Sequence, residues 1–361
     1  MQNQAEVFVL SMRSPDDVSG IVDMIADGRL VPRKIIAILG KTEGNGCVND
    51  FTRGYAAQSV RVLLTGHLSA EEIALIPLVM SGGTEGGLSP HWIVLSQCDG
   101  ETSGGPALAM AGVITRPLDP RETGRSAQAD LVRDAVLQAM AKAKITDPAD
   151  VHFVQIKCPL LTSERVASVG GDVATEDMLK SMGMSRGASA LGVALALGEI
   201  ETLEDAQIGT DLSLWSSRAS CSAGIELMAC EVVVMGQSDS WSGPLHIGHG
   251  VMCDAIDATA IDRLLTQIAP DADRQQAQGR VVATLAKAEA SSSGMIRGNR
   301  HTMCEDSDIS STRHARGFVG GLLAGLIGNT ALFVSGGAEH QGPDGGGPLA
   351  IIYTTQKGKL T

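Results

Sequence analysis

Three copies of one pentad, Ser-small-Gly-x-Glu, constrain this chain more than any other feature. They read Ser81-Gly82-Gly83-Thr84-Glu85, Ser222-Ala223-Gly224-Ile225-Glu226 and Ser335-Gly336-Gly337-Ala338-Glu339. The serines are 141 and 113 residues apart in a chain of 361. A spacing near one third of the length is too long for a solenoid repeat and implies domain-sized units.

Other elements recur in the same order around each pentad. A short run rich in branched residues ends in lysine three times: KIIAILGK at Lys41, VHFVQIK at Lys157 and RVVATLAK at Lys287. Such runs are strands by length and composition. Next comes a Gly- and Ala-rich helical segment opened by arginine after Ser or Thr, with Arg53, Arg186 and Arg313 in that place. An initial strand and an amphipathic helix precede these elements, and a final strand follows each serine loop. The unit is therefore β, α, β-Lys, Arg-α, β, Ser-loop, β, an α+β or α/β module written three times. The expected units are 1–103, 106–243 and 246–361.

The repeated residue types suit one chemistry. A serine hydroxyl needs a base to become a nucleophile, and a lysine can be that base only when neutral. Burial and neighbouring cations lower a lysine pKa, while carboxylates oppose that shift. Backbone N–H groups just after a serine can stabilise an oxyanion, a role open to Gly82, Ala223 and Gly336. The arginines could hold carbonyl oxygens of a planar ligand. One such set alone would be an ordinary turn beside a solvated lysine. Three ordered copies point instead to a shared site. Glu85, Glu226 and Glu339 are expected to fix the loops by hydrogen bonds rather than to move protons.

Composition removes several classes. A formal charge of −13 without a basic cluster argues against a nucleic-acid groove. The N-terminal residues show no secretory pattern, and no apolar run reaches the length of a membrane span. Seven scattered cysteines without a C-x-x-C pair fit reduced thiols and a cytoplasmic location, and Cys221 is expected to be a buried thiol. ILGKTEGNG lacks the first glycine of a phosphate-binding loop, having Ile35 there. His246 and His249 lack companions at zinc spacing and are expected to be structural.

Beyond these elements, the strings GKTEGNGCVND, VMSGGTEGGLSPH, HFVQIKCPLLT, SMGMSRGASALG, RGNRHTM, SDISSTRHAR and VSGGAEHQGPDGGGP resemble the ring-opening amidohydrolases, the family of cyanuric acid hydrolase and barbiturase. The resemblance spans nearly the whole chain. It implies three structurally similar α/β units around a pseudo-threefold axis with a central active site. It also implies hydrolysis of cyanuric acid to carboxybiuret, then biuret and CO2, with Ser222 as nucleophile and Lys157 as its base. Substrate would be held by Arg53, Ser81, Gly82, Arg186, Ala223, Arg313, Ser335 and Gly336, with Lys41 and Lys287 in support. No organic cofactor is implied. A structural Mg2+ would be held by Glu289 and by carbonyls of Ala338, Gln341, Gly342, Pro343 and Gly346. A homotetramer is implied as well. Barbituric acid is the alternative substrate, and a non-catalytic binder of planar cyclic imides is the alternative class.

Overall fold

The computed structural model describes residues 2–101, 105–270 and 273–355. The expected unit ends at 1, 103 and 361 lie outside the described residues. The first sheet contains β1 (Gln2–Ser11), β2 (Ile35–Thr42), β3 (Leu78–Gly82) and β4 (His91–Gly100), with helices α1 (Ser19–Ala26), α2 (Phe51–Leu64) and the short α3 (Ala70–Ile73). The second contains β5 (Ala107–Pro117), β6 (Val151–Pro159), β7 (Ala219–Gly224) and β8 (Ala229–Ser238), with α4 (Ser126–Ala143), α5 (Ser163–Ser168) and α6 (Met178–Ala196). A short strand, β9 (Trp241–Ser242), follows. The third sheet contains β10 (Leu245–Met252), β11 (Val281–Ala288), β14 (Phe333–Gly336) and β15 (Gly347–Thr354). Helices α7 (Ala258–Ile268), α8 (Arg274–Gln278) and α9 (Ser311–Ile327) accompany it, with a hairpin of β12 (Met295–Ile296) and β13 (Asn299–Arg300).

From the serine-bearing edge, the strand orders are β3-β2-β4-β1, β7-β6-β8-β5 and β14-β11-β15-β10. The pattern is the same each time. The lysine strand runs parallel to the serine strand, so a crossover must join them, and the arginine helix supplies it. In every sheet the lysine and serine are direct cross-strand partners: Lys41 with Ser81, Lys157 with Ser222, Lys287 with Ser335. β9 departs from the repeat by pairing with β1, Asn3 opposite Trp241, so residues after the second sheet extend the first.

The period-two alternation of strand side chains divides the apolar residues between two layers. Ala37 and Leu39 face a central core shared by all three sheets, with Val154, Ile156, Leu285 and Phe333. Ile38, between them, faces α2 in an outer core with Val60 and Leu64. Helices α7 and α9 cover the third sheet in the same way through Ile261, Leu264 and Leu323. The sheets therefore meet at the centre and the helices lie outside.

Helix starts differ from the expectation drawn from Ser or Thr before arginine. Asp50 caps α2 through the Thr52 N–H, and Asp177 caps α6 through the Lys180 N–H. Arg186 thus lies well inside α6, because a carboxylate cap nine residues upstream satisfies the first-turn donors.

Close sheet contact requires small residues where the units meet. A Cβ at Gly112 on β5 would lie 2.8 Å from the Ile36 carbonyl oxygen and 2.9 Å from Pro77 Cγ. Gly112→Val should therefore destabilise the fold by about 1–3 kcal/mol. Denaturant titration should show a lower midpoint with an unchanged slope.

Candidate active site

The cross-strand register brings three buried lysines and three buried serines to the centre. None of these three lysines is solvated; each reaches into a neighbouring unit. Lys41 Nζ donates to the Val334 carbonyl at 2.6 Å, Lys157 Nζ to the Met80 carbonyl at 2.6 Å, and Lys287 Nζ to the Cys221 carbonyl at 2.7 Å. Those carbonyls belong to the residues just before Ser335, Ser81 and Ser222. The serine strands are sheet edges with unpaired backbone groups, and the lysine of the next unit satisfies one on each.

A second ring runs outside the first. Arg186 forms a two-point ion pair with Glu339, at 2.7 and 2.5 Å, and Arg316 forms the same pair with Glu85 at 2.7 and 2.5 Å. Arg53 approaches Glu226, with Nε 3.6 Å from Oε2. Each arginine thus meets the pentad glutamate of another unit. Glu85 and Glu339 fix their loops, as expected from their place in the pentads. Arginine also forms these forked bonds better than lysine would.

The third arginine of the ring is Arg316, not Arg313. Arg316 is buried, whereas the Arg313 side chain is about one-third exposed, with Nε 3.8 Å from Glu85. Arg313 lies one helical turn earlier and lines the same cleft as Arg186 and Arg316. The missed signal is the dipeptide Arg-Gly, present as Arg53-Gly54, Arg186-Gly187 and Arg316-Gly317. A Cβ on those glycines would lie 3.7 Å from Glu226 Cβ, 3.7 Å from Glu339 Cβ and 3.3 Å from Glu85 Cβ. Only at Gly317 is that contact tight; at Gly187 the closest neighbour is His340 Cδ2 at 2.8 Å.

The middle set breaks the symmetry. Gly83 and Gly337 have φ of +99° and +79°, while Gly224 is not left-handed. Glu226 makes no forked pair with Arg53; its Oε1 lies 3.1 Å from Lys157 Nζ. The serines differ too. Ser81 Oγ is 3.1 Å from Ser335 Oγ and 3.3 Å from Lys41 Nζ. Ser222 Oγ is buried and has no hydrogen-bond partner among the described residues. Ala223 is buried beside it.

Electrostatics follow from this packing. Burial pushes all three lysines below their ordinary pKa. For Lys41 the Arg316 charge adds to this, and for Lys287 burial and Arg186 bring the value to about 7. At Lys157 the Glu226 carboxylate opposes burial and Arg53 assists it. Burial likewise pushes Glu226 up, but Lys157 and Arg53 outweigh it and hold it below its usual range.

A cleft of ≈ 730 Å³ is lined by Arg186, Arg316 and Glu339 of the outer ring, with Leu179 and Met182 on its wall and none of the three central serines or lysines in its lining. It is large enough for a small ring with several oxygens. The expected metal ligands cluster behind the third serine loop. Glu289 accepts the Ala338 N–H at 3.0 Å and the Ala290 N–H at 2.9 Å. Burial and the neighbouring Glu339 raise its pKa. Gly342 at φ +104° turns the loop tightly, and the Ala338 and Pro343 carbonyls accept the Gln341 and Gly346 N–H groups. Among the described residues, no group of three His, Cys, Asp or Glu side chains could hold a metal.

Three α/β units with one strand order bring three lysine–serine pairs to a shared centre. Comparison with known proteins identifies the family: the model for amidohydrolase ring-opening proteins matches residues 6–354, and the chain belongs to that family. The cyanuric acid amidohydrolase of Azorhizobium caulinodans is 56% identical over 362 residues, covering 98% of this chain and 99% of that one. That of Bradyrhizobium sp. is 53% identical, covering 97% of each. The crystal structure of the A. caulinodans cyanuric acid hydrolase superposes with a TM-score of 0.92 at 55% identity, covering 98% of this chain and all of that one. A further cyanuric acid hydrolase structure, described as innovation by structural concatenation, gives 0.93 at 45% identity over 98% of this chain.

Folded Lys287 titrates near 7 and unfolded near 10.5. The native state therefore binds fewer protons between those values, and this lysine makes stability rise with pH from about 7 towards 10.5. Lys287→Met should flatten that rise, as read from denaturation midpoints across the range.

Proposed function

We propose that this chain hydrolyses cyanuric acid, opening the ring by serine–lysine catalysis. The observation that carries the mechanism is the Ser222 hydroxyl, buried and free of partners beside a buried lysine. Ser81 and Ser335 are engaged with each other, which suits binding; Ser222 is left for attack. The threefold frame matches a flat ring with three equivalent carbonyls, each met by serine, following N–H and arginine.

In this reading Lys157 takes the Ser222 Oγ proton as Oγ bonds to a ring carbonyl carbon. The resulting oxyanion is met by a backbone N–H of the Ala223 region, where charge stabilisation contributes most to such reactions. The ring C–N bond then breaks and Lys157 returns the proton to the departing nitrogen. Water releases the acyl group as carboxybiuret, which loses CO2 to give biuret. Arg53, Arg186 and Arg316 hold the ring, with Arg313 at the cleft wall, Ser81, Gly82, Ser335 and Gly336 beneath it, and Lys41 and Lys287 in support. Segments 1–103, 106–243 and 246–361 are the three repeats, in a cytoplasmic homotetramer. Barbituric acid, a similar flat ring, is the alternative substrate.

Glu289 and the carbonyls of Ala338, Gln341, Gly342, Pro343 and Gly346 suit a structural Mg2+. A partly buried carboxyl with a raised proton affinity gains from a cation, and turned carbonyls retain a second lone pair. The ion would supply positive charge that steadies the Ser335 loop.

Purified protein should consume cyanuric acid, release biuret and favour it over barbituric acid. Ser222→Ala and Lys157→Ala should each lower kcat by at least about 10³-fold, in keeping with loss of a nucleophile or its base. Preference for barbituric acid would change the substrate and keep the mechanism. Mg2+ should raise the thermal midpoint of chelator-treated wild type by several degrees and leave Glu289→Gln unmoved, an outcome read by calorimetry.

A further inference from the structure

Cross-strand register places a different side chain opposite each lysine. His91 faces Lys41 and Glu231 faces Lys157. In the third sheet the register runs through Ala286 opposite Leu349, so the next pair sets Pro348 against Lys287. Directly opposed antiparallel residues stand on the same face, with Cβ atoms about 5 Å apart. Glu231 is buried, 6% exposed, and its Oε2 accepts the Leu78 N–H at 2.8 Å. Lys157 Nζ donates to the Met80 carbonyl two residues along the same strand. The two side chains therefore bracket the free edge of β3, the strand that delivers Ser81. A hydrogen bond to one N–H would require only a neutral acceptor such as Gln. A carboxylate here adds a charge to the surroundings of the one lysine already approached by Glu226.

We propose that Glu231 is a positioning residue for ring opening, holding β3 through Leu78 and using its charge to govern when Lys157 gives up its proton. This rests on Lys157 acting as the base. Four groups face Glu231: the Leu78 N–H from β3, Lys157 from β6, Arg61 from α2 and Glu226 from the middle loop. Burial raises its pKa to about 7, partly offset by the Leu78 bond and Arg61. Its charge thus appears as pH rises through neutrality. Once charged, it favours the ammonium form of Lys157 and delays the neutral base. His91 cannot do this for Lys41, since burial keeps it neutral down to about 4, and Pro348 cannot for Lys287.

Glu231→Gln retains an oxygen for Leu78 and removes the charge. The limb along which kcat/KM rises with pH should move lower by a few tenths of a unit, less than an adjacent opposite charge would give. KM at the plateau should stay within about twofold, and the thermal midpoint should not fall. Arg61→Gln favours neutral Glu231, so the limb should move in the same direction by less; this variant also serves should Glu231→Gln fold poorly. A structural strut alone would change KM or stability and leave the limb in place. An unmoved limb in both variants, with Lys157→Ala inactive, overturns the role of Glu231 and keeps Lys157 as the base. Full turnover by Lys157→Ala would overturn the underlying mechanism instead.

Discussion

Three buried lysine side chains, each hydrogen-bonded to a backbone carbonyl in the next unit, hold this molecule together at its centre. An uncompensated buried lysine is costly, and an unpaired strand edge is also costly. Each cost is offset by the other. The serine strand of one unit ends at an open edge, and the lysine of its neighbour donates to the carbonyl just before the serine. Because the exchange is cyclic, removing one unit would leave both a lysine and an edge without partners. The core of all three sheets and the placement of the serines depend on that closure.

The arginine–glutamate ring adds a second closure with a separate purpose. Forked pairs between Arg186 and Glu339, and between Arg316 and Glu85, tie the third and first loops to a helix of another unit. The middle loop escapes this restraint, since Gly224 lacks the left-handed turn and Glu226 leans towards Lys157. A threefold scaffold can match a threefold ligand, but chemistry needs one set to differ. Here the difference is visible in loop conformation, in ion pairing and in the free Ser222 hydroxyl.

The sequence alone determined much of this. The pentads, the lysine strands and the helices between them follow from local composition and order, and these translate into strand, crossover and loop with little tertiary input. Family membership is also legible, because long unusual strings survive across the chain. The expectation that the glutamates fix loops held for Glu85 and Glu339, which follow two glycines, and not for Glu226, which follows Ala223 and Gly224 and turns to Lys157.

What only the tertiary structure decided concerns partners from different units. Arg313 and Arg316 lie one turn apart on one side of α9, and nothing local says which of them meets Glu85. Asp177 starts α6 well before Arg186, while α9 starts just before Arg313, so position in the helix is no guide. The approach of a neighbouring loop chooses the arginine. Glu231 is hidden for the same reason. In sequence it is one acid at the start of an apolar strand; its meaning comes from Lys157 across the ladder and from Leu78, 153 residues away. Local propensity is written residue by residue, whereas burial and charge partners exist only once the three units have closed on one another.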